Sequence, residues 1–386
     1  MHTRSLMLAL AIAAVFLGCG GGGGKKLEPL TGWAAMRAKA APANALPLEF
    51  QAPHIQSIAV DGWEDGICIS RDGLHLYALY APADLLAFSV NGLNDQTHAA
   101  DYLRGPTLGM DLTTTPVPGI TPWIHCNIIH ASRANTAVHF GAWQLTTMAR
   151  PSWSEGAPLA QGDEGGTWDL FVYTTNDHAP DYKAHVALAR HAAYNPAVLG
   201  ALLPVPVTTP IPANSAVAGT TEDNPHIERL GVNDLVLFFD SDDRPGGVGA
   251  HDIWYTTSAD DGVTWATPVA LSLNSALEEE QPHLWRDVGG TWWLYYTATN
   301  PGDGKLGIFR AQQGTSGDWN NWIGNELVLG AGNTAGVGEP TLTAAGDLSF
   351  VVVMEDTVHG TPTNRYDADP WFMPRIPSAV VKRTQR

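Results

Sequence analysis

Residues 222–243 read EDNPHIERLGVNDLVLFFDSDD, and residues 279–300 read EEQPHLWRDVGGTWWLYYTATN. A third stretch, residues 338–357, reads GEPTLTAAGDLSFVVVMEDT. Each holds an acidic residue, a proline, a short apolar strand, a turn and a strongly apolar second strand. The prolines are Pro225, Pro282 and Pro340, spaced 57 and 58 residues apart. A period this constant, with matched residue types, marks an internal repeat. A unit of about 57 residues holding four short strands has the size of a propeller blade. Segments such as DLVLFF, TWWLYY and LSFVVV are apolar at every position rather than at alternate ones. That pattern is expected where a sheet buries both faces against neighbouring sheets, and no single blade could bury them alone.

The pattern recurs earlier in looser form. EDGICISRDGLHLYALYAPADLLAFS, from Glu64, reads as strand, SRDG turn, strand, loop and strand. PWIHCNIIHASRANTAVHFGAW, from Pro122, begins 56 residues after Gly66 and reads as the opening of a second blade. TWDLFVYTTNDHAPDYKAHVALAR, from Thr167, reads as a further strand pair with its loop. The expected fold is therefore all-β, a β-propeller of six blades of four antiparallel strands, with five as the alternative count. The propeller is expected over residues 51–386.

Composition agrees. The 386 residues include 40 Gly, 27 Pro and 14 Trp, and only 16% are charged. Many short strands with tight turns use such a mixture, whereas long surface helices need more Lys, Glu and Arg. The formal charge is −18, from 21 basic and 39 acidic residues. So acidic a surface repels phosphate backbones, which excludes nucleic acid as an expected partner. The chain starts MHTR and continues LMLALAIAAVFLGC, an apolar run too short to span a membrane as a mature helix. It resembles a bacterial lipoprotein signal, with residues 1–18 removed and Cys19 lipidated. That resemblance implies export and an outer-membrane lipid anchor, facing the periplasm or the surface. Residues 19–50, beginning with a glycine run, are expected to be a tether and linker with at most a helical turn. The other two cysteines, Cys68 and Cys126, could form a disulfide in an exported protein or remain as buried thiols.

Residues 222–313 carry a family resemblance, and residues 64–220 carry it more loosely. LFFDSDDRPGGVGAHDIWYTTS, then Trp265, Pro268, Asn274, Ser275 and an acidic residue before Pro282, resemble the TolB-type, WD-like β-propeller repeat of exported bacterial proteins. SADDGVTW, from Ser258 to Trp265, resembles an Asp-box. There Asp260 would accept bonds from its own turn, Gly262 would take positive φ, and Trp265 would fill space between blades. The acidic stretch around 240–252 is thus expected to be scaffold. Asp240, Asp242, Asp243 and Asp252 could alternatively gather a structural Ca²⁺, and no other cofactor is expected.

Chemistry is expected at the mouth of the central channel, where innermost strands begin. The candidates there are Trp63, Glu64, Asp65, Trp123, His125, Asp223, His226, Glu280, His283, Trp285 and Glu339. EEQPHLWRDVGGTWWLYYTAT also resembles the acid-bearing blade of arabinanase- and xylosidase-type propeller glycosidases. That resemblance implies Glu280 as general acid, Asp65 as base and Asp223 as the group that tunes them, with Trp63, Trp123 and Trp285 against sugar rings. The other reading is that acid-x-Pro simply opens a strand, the acid capping backbone amides and Pro taking the first position. In that case the protein binds a protein or glycan partner at the cell envelope without hydrolysing it. Neither a G-x-S-x-G elbow nor a phosphate-cradling G-x-x-x-x-G-K-[ST] loop is present, and no Arg-Ile-Pro motif opens the propeller as a sialidase would require.

Overall fold

The computed structural model describes residues 33–377, except 83, 87–104, 112–125, 147, 150–152, 162–169, 177–183, 191–208, 211–213, 215–219, 243 and 357–364. Helix α1 (Trp33–Lys39) and strands β1 (Ala43–Asn44) and β2 (His54–Ile55) come first. The first four-stranded unit is β3 (Trp63–Ile69), β4 (His75–Ala81), β5 (Asn127–Ser132) and β6 (Gln144–Leu145). The second is β7 (Glu155–Gln161), β8 (Leu170–Thr175), β9 (His185–Arg190) and β10 (Thr209–Pro210). The third is β11 (Thr221–Arg229), β12 (Leu235–Asp242), β13 (His251–Ser258) and β14 (Val269–Ala270). The fourth is β15 (Glu279–Arg286), β16 (Trp292–Thr299), β17 (Leu306–Gln313) and β18 (Trp322–Gly330), with β1 added at its edge. The fifth is β19 (Gly336–Leu342), β20 (Leu348–Asp356) and β21 (Arg365–Met373), completed by β2 from the other end of the chain.

The protein is a β-propeller. Within each unit the strands pair antiparallel in sequence order. The first strands form a ring: β3 packs on β7, β7 on β11, β11 on β15, β15 on β19, and β19 on β3. Among the described residues there are thus five blades, the alternative count and not the six expected. The difference arises at residues 127–132, which the sequence places in a second blade. They pair with β4 as the third strand of the first.

Blades stack because alternate residues of one strand serve two neighbours. On β12, Val236 and Phe238 join a core shared with Leu284, Leu294 and Tyr296 of the fourth blade. Leu235, Leu237 and Phe239 join another core with Phe171 and Tyr173 of the second. On β20, Val351 and Val353 pack toward Trp63 and Tyr80, while Phe350 and Val352 pack toward Tyr295 and Trp371. That two-sided burial is why these strands have no polar face. Each such side chain contributes roughly 1.5–3 kcal/mol relative to exposure.

Part of the expected tether is docked. Phe50 is buried in the core between the fourth and fifth blades. Arg37 of α1 binds both Asp369 carboxylate oxygens through Nε and Nη2 (2.7 and 2.8 Å). It also donates to Asp367 at 2.8 Å, Asp61 at 2.8 Å and the Val60 carbonyl at 2.6 Å. The helix therefore latches the seam where the last blade meets the first. Cys68 and Cys126 are both buried and form no disulfide, so that option is not taken.

The SADDGVTW turn has the geometry expected for it. Ser258 Oγ and Thr264 N donate to Asp260 Oδ1, both at 2.8 Å, Thr264 Oγ1 donates to Oδ2 at 2.6 Å, and Gly262 sits at φ 77°. The remaining acidic residues near it are dispersed rather than gathered. Asp240 serves Asn224 and Gln281, Asp242 serves Thr221, and Asp252 serves Val248 and Gly249. Asp243 lies outside the described residues. Among the described residues no three His, Cys, Asp or Glu side chains are placed to hold a metal ion.

Candidate functional site

All five innermost strands break register at the same place. The shifts fall at Asp65/Cys68, Gly156/Leu159, Asp223/His226, Glu280/His283 and Gly338/Thr341. The first looped-out residue has positive φ in every blade: Gly66 (54°), Ala157 (42°), Asn224 (48°), Gln281 (56°) and Glu339 (56°). In four blades the next residue is proline, which suits a position with no ladder bond to donate. The sequence alone suggests that this proline comes first in its strand; the structure puts it inside a bulge. Left-handed backbone at the four non-glycine residues costs on the order of 1–3 kcal/mol each, and persists because the neighbours fix it. Gln281 N donates to Asp240 at 2.7 Å, and Glu339 N donates to Gln281 Oε1 at 3.0 Å. Side chains from one blade thus hold the bulge of the next. The ring of bulges lines the waist of the channel, a space of about 30 Å³.

The bulge sorts the paired acids into two sets, because adjacent strand residues point to opposite sides. The first acid of each pair serves its own surroundings. Glu64 accepts from Val60 N at 2.9 Å and Trp143 Nε1 at 3.0 Å, Glu222 pairs with Arg244 at 3.1 Å, and Glu279 accepts from Ser275 N and Oγ at 2.7 and 2.6 Å. Glu64 is therefore not a channel ligand, contrary to expectation. The second acid of each pair, Asp65, Asp223 or Glu280, joins a buried cluster with Glu339 and Asp240. Three of the expected groups are thus brought together, and a fourth, Glu339, joins them.

Electrostatics differentiates the members. Burial pushes the Glu280 carboxyl well up, and the neighbouring charges of Asp240, Glu278 and Asp65 add to this. Burial likewise pushes Glu339 well up, with Asp65 and Glu280 contributing. Burial also raises Asp65, opposed by the Trp63 indole N–H at 3.0 Å, the Gly66 amide and a hydrogen bond from Glu339. Asp223 is pushed up to about 8 by burial and by Asp240, against the Thr174 hydroxyl at 2.6 Å. One cation faces the cluster. Burial pulls the His251 imidazole down, but Glu278 at 2.9 Å and the charges of Glu280 and Asp240 outweigh it and push it up to about 10. Burial and mutual repulsion therefore favour the protonated forms of the carboxyls, while Glu278 favours the imidazolium, a set suited to donating and accepting protons.

Other expected site residues lie elsewhere. Trp63 is 1% exposed, packed in the core with its N–H on Asp65, and cannot stack on a sugar. His226, His283 and Trp285 come after the bulge and line the far end of the channel. Trp123 and His125 fall outside the described residues. Sequence reasoning missed the roles of His251, Glu278 and Gln281, and of Asp240 as the group that holds the Gln281 bulge. The up-down path of a blade was the available signal: a second strand's end and a third strand's start return to the end where the first strand begins.

No family model matches the chain, and no curated protein matches it. Solved structures similar to it include a thermostable family-43 glycoside hydrolase, 13% identical, with TM-score 0.44 over 82% of this chain and 91% of that one. An endo-arabinase from Bacteroides thetaiotaomicron is 11% identical, with TM-score 0.43 over 82% and 95%. A protein of unknown function from Dyadobacter fermentans is 11% identical, with TM-score 0.43 over 84% and 98%. Likeness of this degree transfers no residue role, so the site stands on its own geometry.

Proposed function

We propose that the chain is a glycoside hydrolase acting on a poly- or oligosaccharide at the bulge end of the channel. The observation that carries this reading is the joint burial of Glu280, Asp65, Asp223 and Glu339, in which Asp65 receives hydrogen bonds that favour its charged form while burial and acidic neighbours raise Glu280. Glycoside hydrolysis needs one carboxyl held protonated and another ionised beside the same bond. Glu280 is the proton donor to the leaving oxygen, since burial and its acidic neighbours favour its protonated form. Asp65, which receives three hydrogen bonds that favour its charged form, is the base or nucleophile. Asp223 tunes the pair from the third blade, and His251 supplies the compensating positive charge. The protein would act outside the cytoplasm, anchored by lipid on Cys19.

One observation favours the binding role at the envelope instead. Asp65, Asp223 and Glu280 are 5%, 7% and 4% exposed, so a substrate must reach groups that the fold has largely enclosed. Hydrolysis assays on arylglycosides and polysaccharides, with Glu280→Gln in parallel, separate the two. Turnover lost in Glu280→Gln supports hydrolysis. A folded wild-type protein with no turnover leaves envelope binding of a glycan or protein.

A further inference from the structure

The channel opens at its other end into a second cavity of about 400 Å³, on the side where the first strands of the blades end. Its wall includes Arg71, His226, Glu228, His283, Trp285 and Arg286. This volume falls within the range of small-molecule sites. None of the carboxylates of the bulge cluster lines it.

The two histidines define what it would take. Glu228 Oε1 lies 3.2 Å from His226 Nε2 and also pairs with Arg71. A carboxylate accepts only, so His226 carries its proton on Nε2 and presents Nδ1 as an acceptor. That Nδ1 is buried and has no partner, and His226 is 2% exposed. An unpaired buried acceptor is costly, and a ligand donor would relieve it. Leu342 N donates to His283 Nε2 at 3.1 Å, which leaves the His283 proton on Nδ1 as a donor. The two rings sit 4.3 Å apart, edge to face. One acceptor and one donor side by side match a hydroxyl group, which is both.

The charges of the wall balance. Arg71 faces Glu228 across an ion pair. Asp287, next to Arg286, accepts from Thr291 N at 2.9 Å and Trp293 Nε1 at 3.2 Å. Two cations and two anions, in a protein of formal charge −18, give no net attraction for an acid. We propose that this cavity is a second site, distinct from the carboxylate cluster, that binds a neutral monosaccharide or disaccharide through hydroxyl contacts to His226, His283 and Arg286. It does not depend on the proposed hydrolysis, because its ligand is bound and not cleaved.

The test is a saturation-transfer NMR titration of the purified protein with D-glucose, D-galactose, D-xylose and L-arabinose, and with D-glucuronate as the charged comparison. The expected result is saturable binding of a neutral sugar that survives Glu280→Gln. It should weaken about tenfold in Arg286→Ala, an exposed position that leaves the core intact, and similarly in His226→Phe. Absence of saturable binding overturns the proposal. So does binding that Arg286→Ala and His226→Phe leave at wild-type strength, or that Glu280→Gln abolishes, since the sugar would then sit at the carboxylates. Tighter binding of D-glucuronate overturns the neutral class. Loss of hydrolase activity in Glu280→Gln with this binding intact separates the two sites.

Discussion

Glu339 hydrogen-bonds Asp65 across the seam where the fifth blade meets the first. The two carboxyls come from opposite ends of the propeller sequence; the bond lowers Asp65, while burial and the Asp65 charge push Glu339 well up. On the proposed hydrolase reading, Glu339 is a positioning residue for Asp65. Glu339→Ala removes the donor that favours ionised Asp65, so the acid limb of the pH–rate profile moves to higher pH. Glu339→Gln still donates and should leave that limb closer to the wild-type position. Equal displacement by both variants would show that the hydrogen bond is not what sets Asp65.

On the proposed hydrolase reading, Glu280→Gln removes the proton donor without changing shape. Turnover of substrates with poor leaving groups should fall about a hundredfold to ten-thousandfold. Arylglycosides with good leaving groups need less protonation and should lose much less. A uniform loss across leaving groups would move the acid to another residue.

Stability should fall as pH rises above about 6.5. Asp223 titrates at about 8 in the fold against an ordinary 3.8, so between those values the folded protein holds more protons than the unfolded chain. Burial raises Glu280, Glu339, Glu64 and Asp367 in the same direction. His251, pushed from 6.5 to about 10, stabilises the fold fully below 6.5, and that contribution is lost as pH climbs to about 10. Burial lowers His226 and His283, which oppose the trend only below 6.5. Urea midpoints measured from pH 6.5 to 10 should decline steadily, and a flat or rising series would contradict the buried cluster.

Arg37→Ala should destabilise the protein by about 3–5 kcal/mol, because it leaves Asp367 and Asp369 buried without their cation. Arg37→Lys should recover only part of the loss, since an ammonium cannot reproduce the two-pronged contact with Asp369. Urea unfolding of the three proteins decides this. A cost near zero would mean that α1 is not a latch.

Cys68 and Cys126 should be unreactive in the native protein and fully reactive once it is unfolded. Both are buried, and burial pushes the Cys126 thiol up, away from the reactive thiolate. Thiol titration with and without guanidinium, under non-reducing conditions, checks this, and a mass two hydrogens short would reveal a disulfide.

Much of the fold was legible because the blade period is carried by residue types. The prolines of DNP, EQP and GEP repeat since that bulge position has no ladder bond to donate and so tolerates proline, and the apolar second strands repeat since they face two neighbours. The blade count was not legible, because residues 127–132 lie far along the sequence from β4 and resemble a first strand as much as a third. In the site, Asp223 and Glu280 were readable from their place two residues before a proline and Asp65 from the matching place in the first blade, whereas Glu339 sits inside its bulge, directly before its proline. Glu64 was not separable from Asp65, because sidedness depends on which residue loops out. His251 was invisible since its importance comes from a returning strand, not from a motif.

The pairing of β2 with β21 has a consequence for how the molecule comes into being. The last blade borrows its outer strand from the first residues of the domain, so its four strands cannot assemble until the chain through residue 373 is present. Long-range closure of this kind is slow, because the loop entropy is lost before the contacts form. The early blades must wait with one flank of their apolar strands uncovered, and a chain that lacks β21 would stay an open arc. Arrival of that one strand is thereby built into the architecture as the condition for becoming a ring.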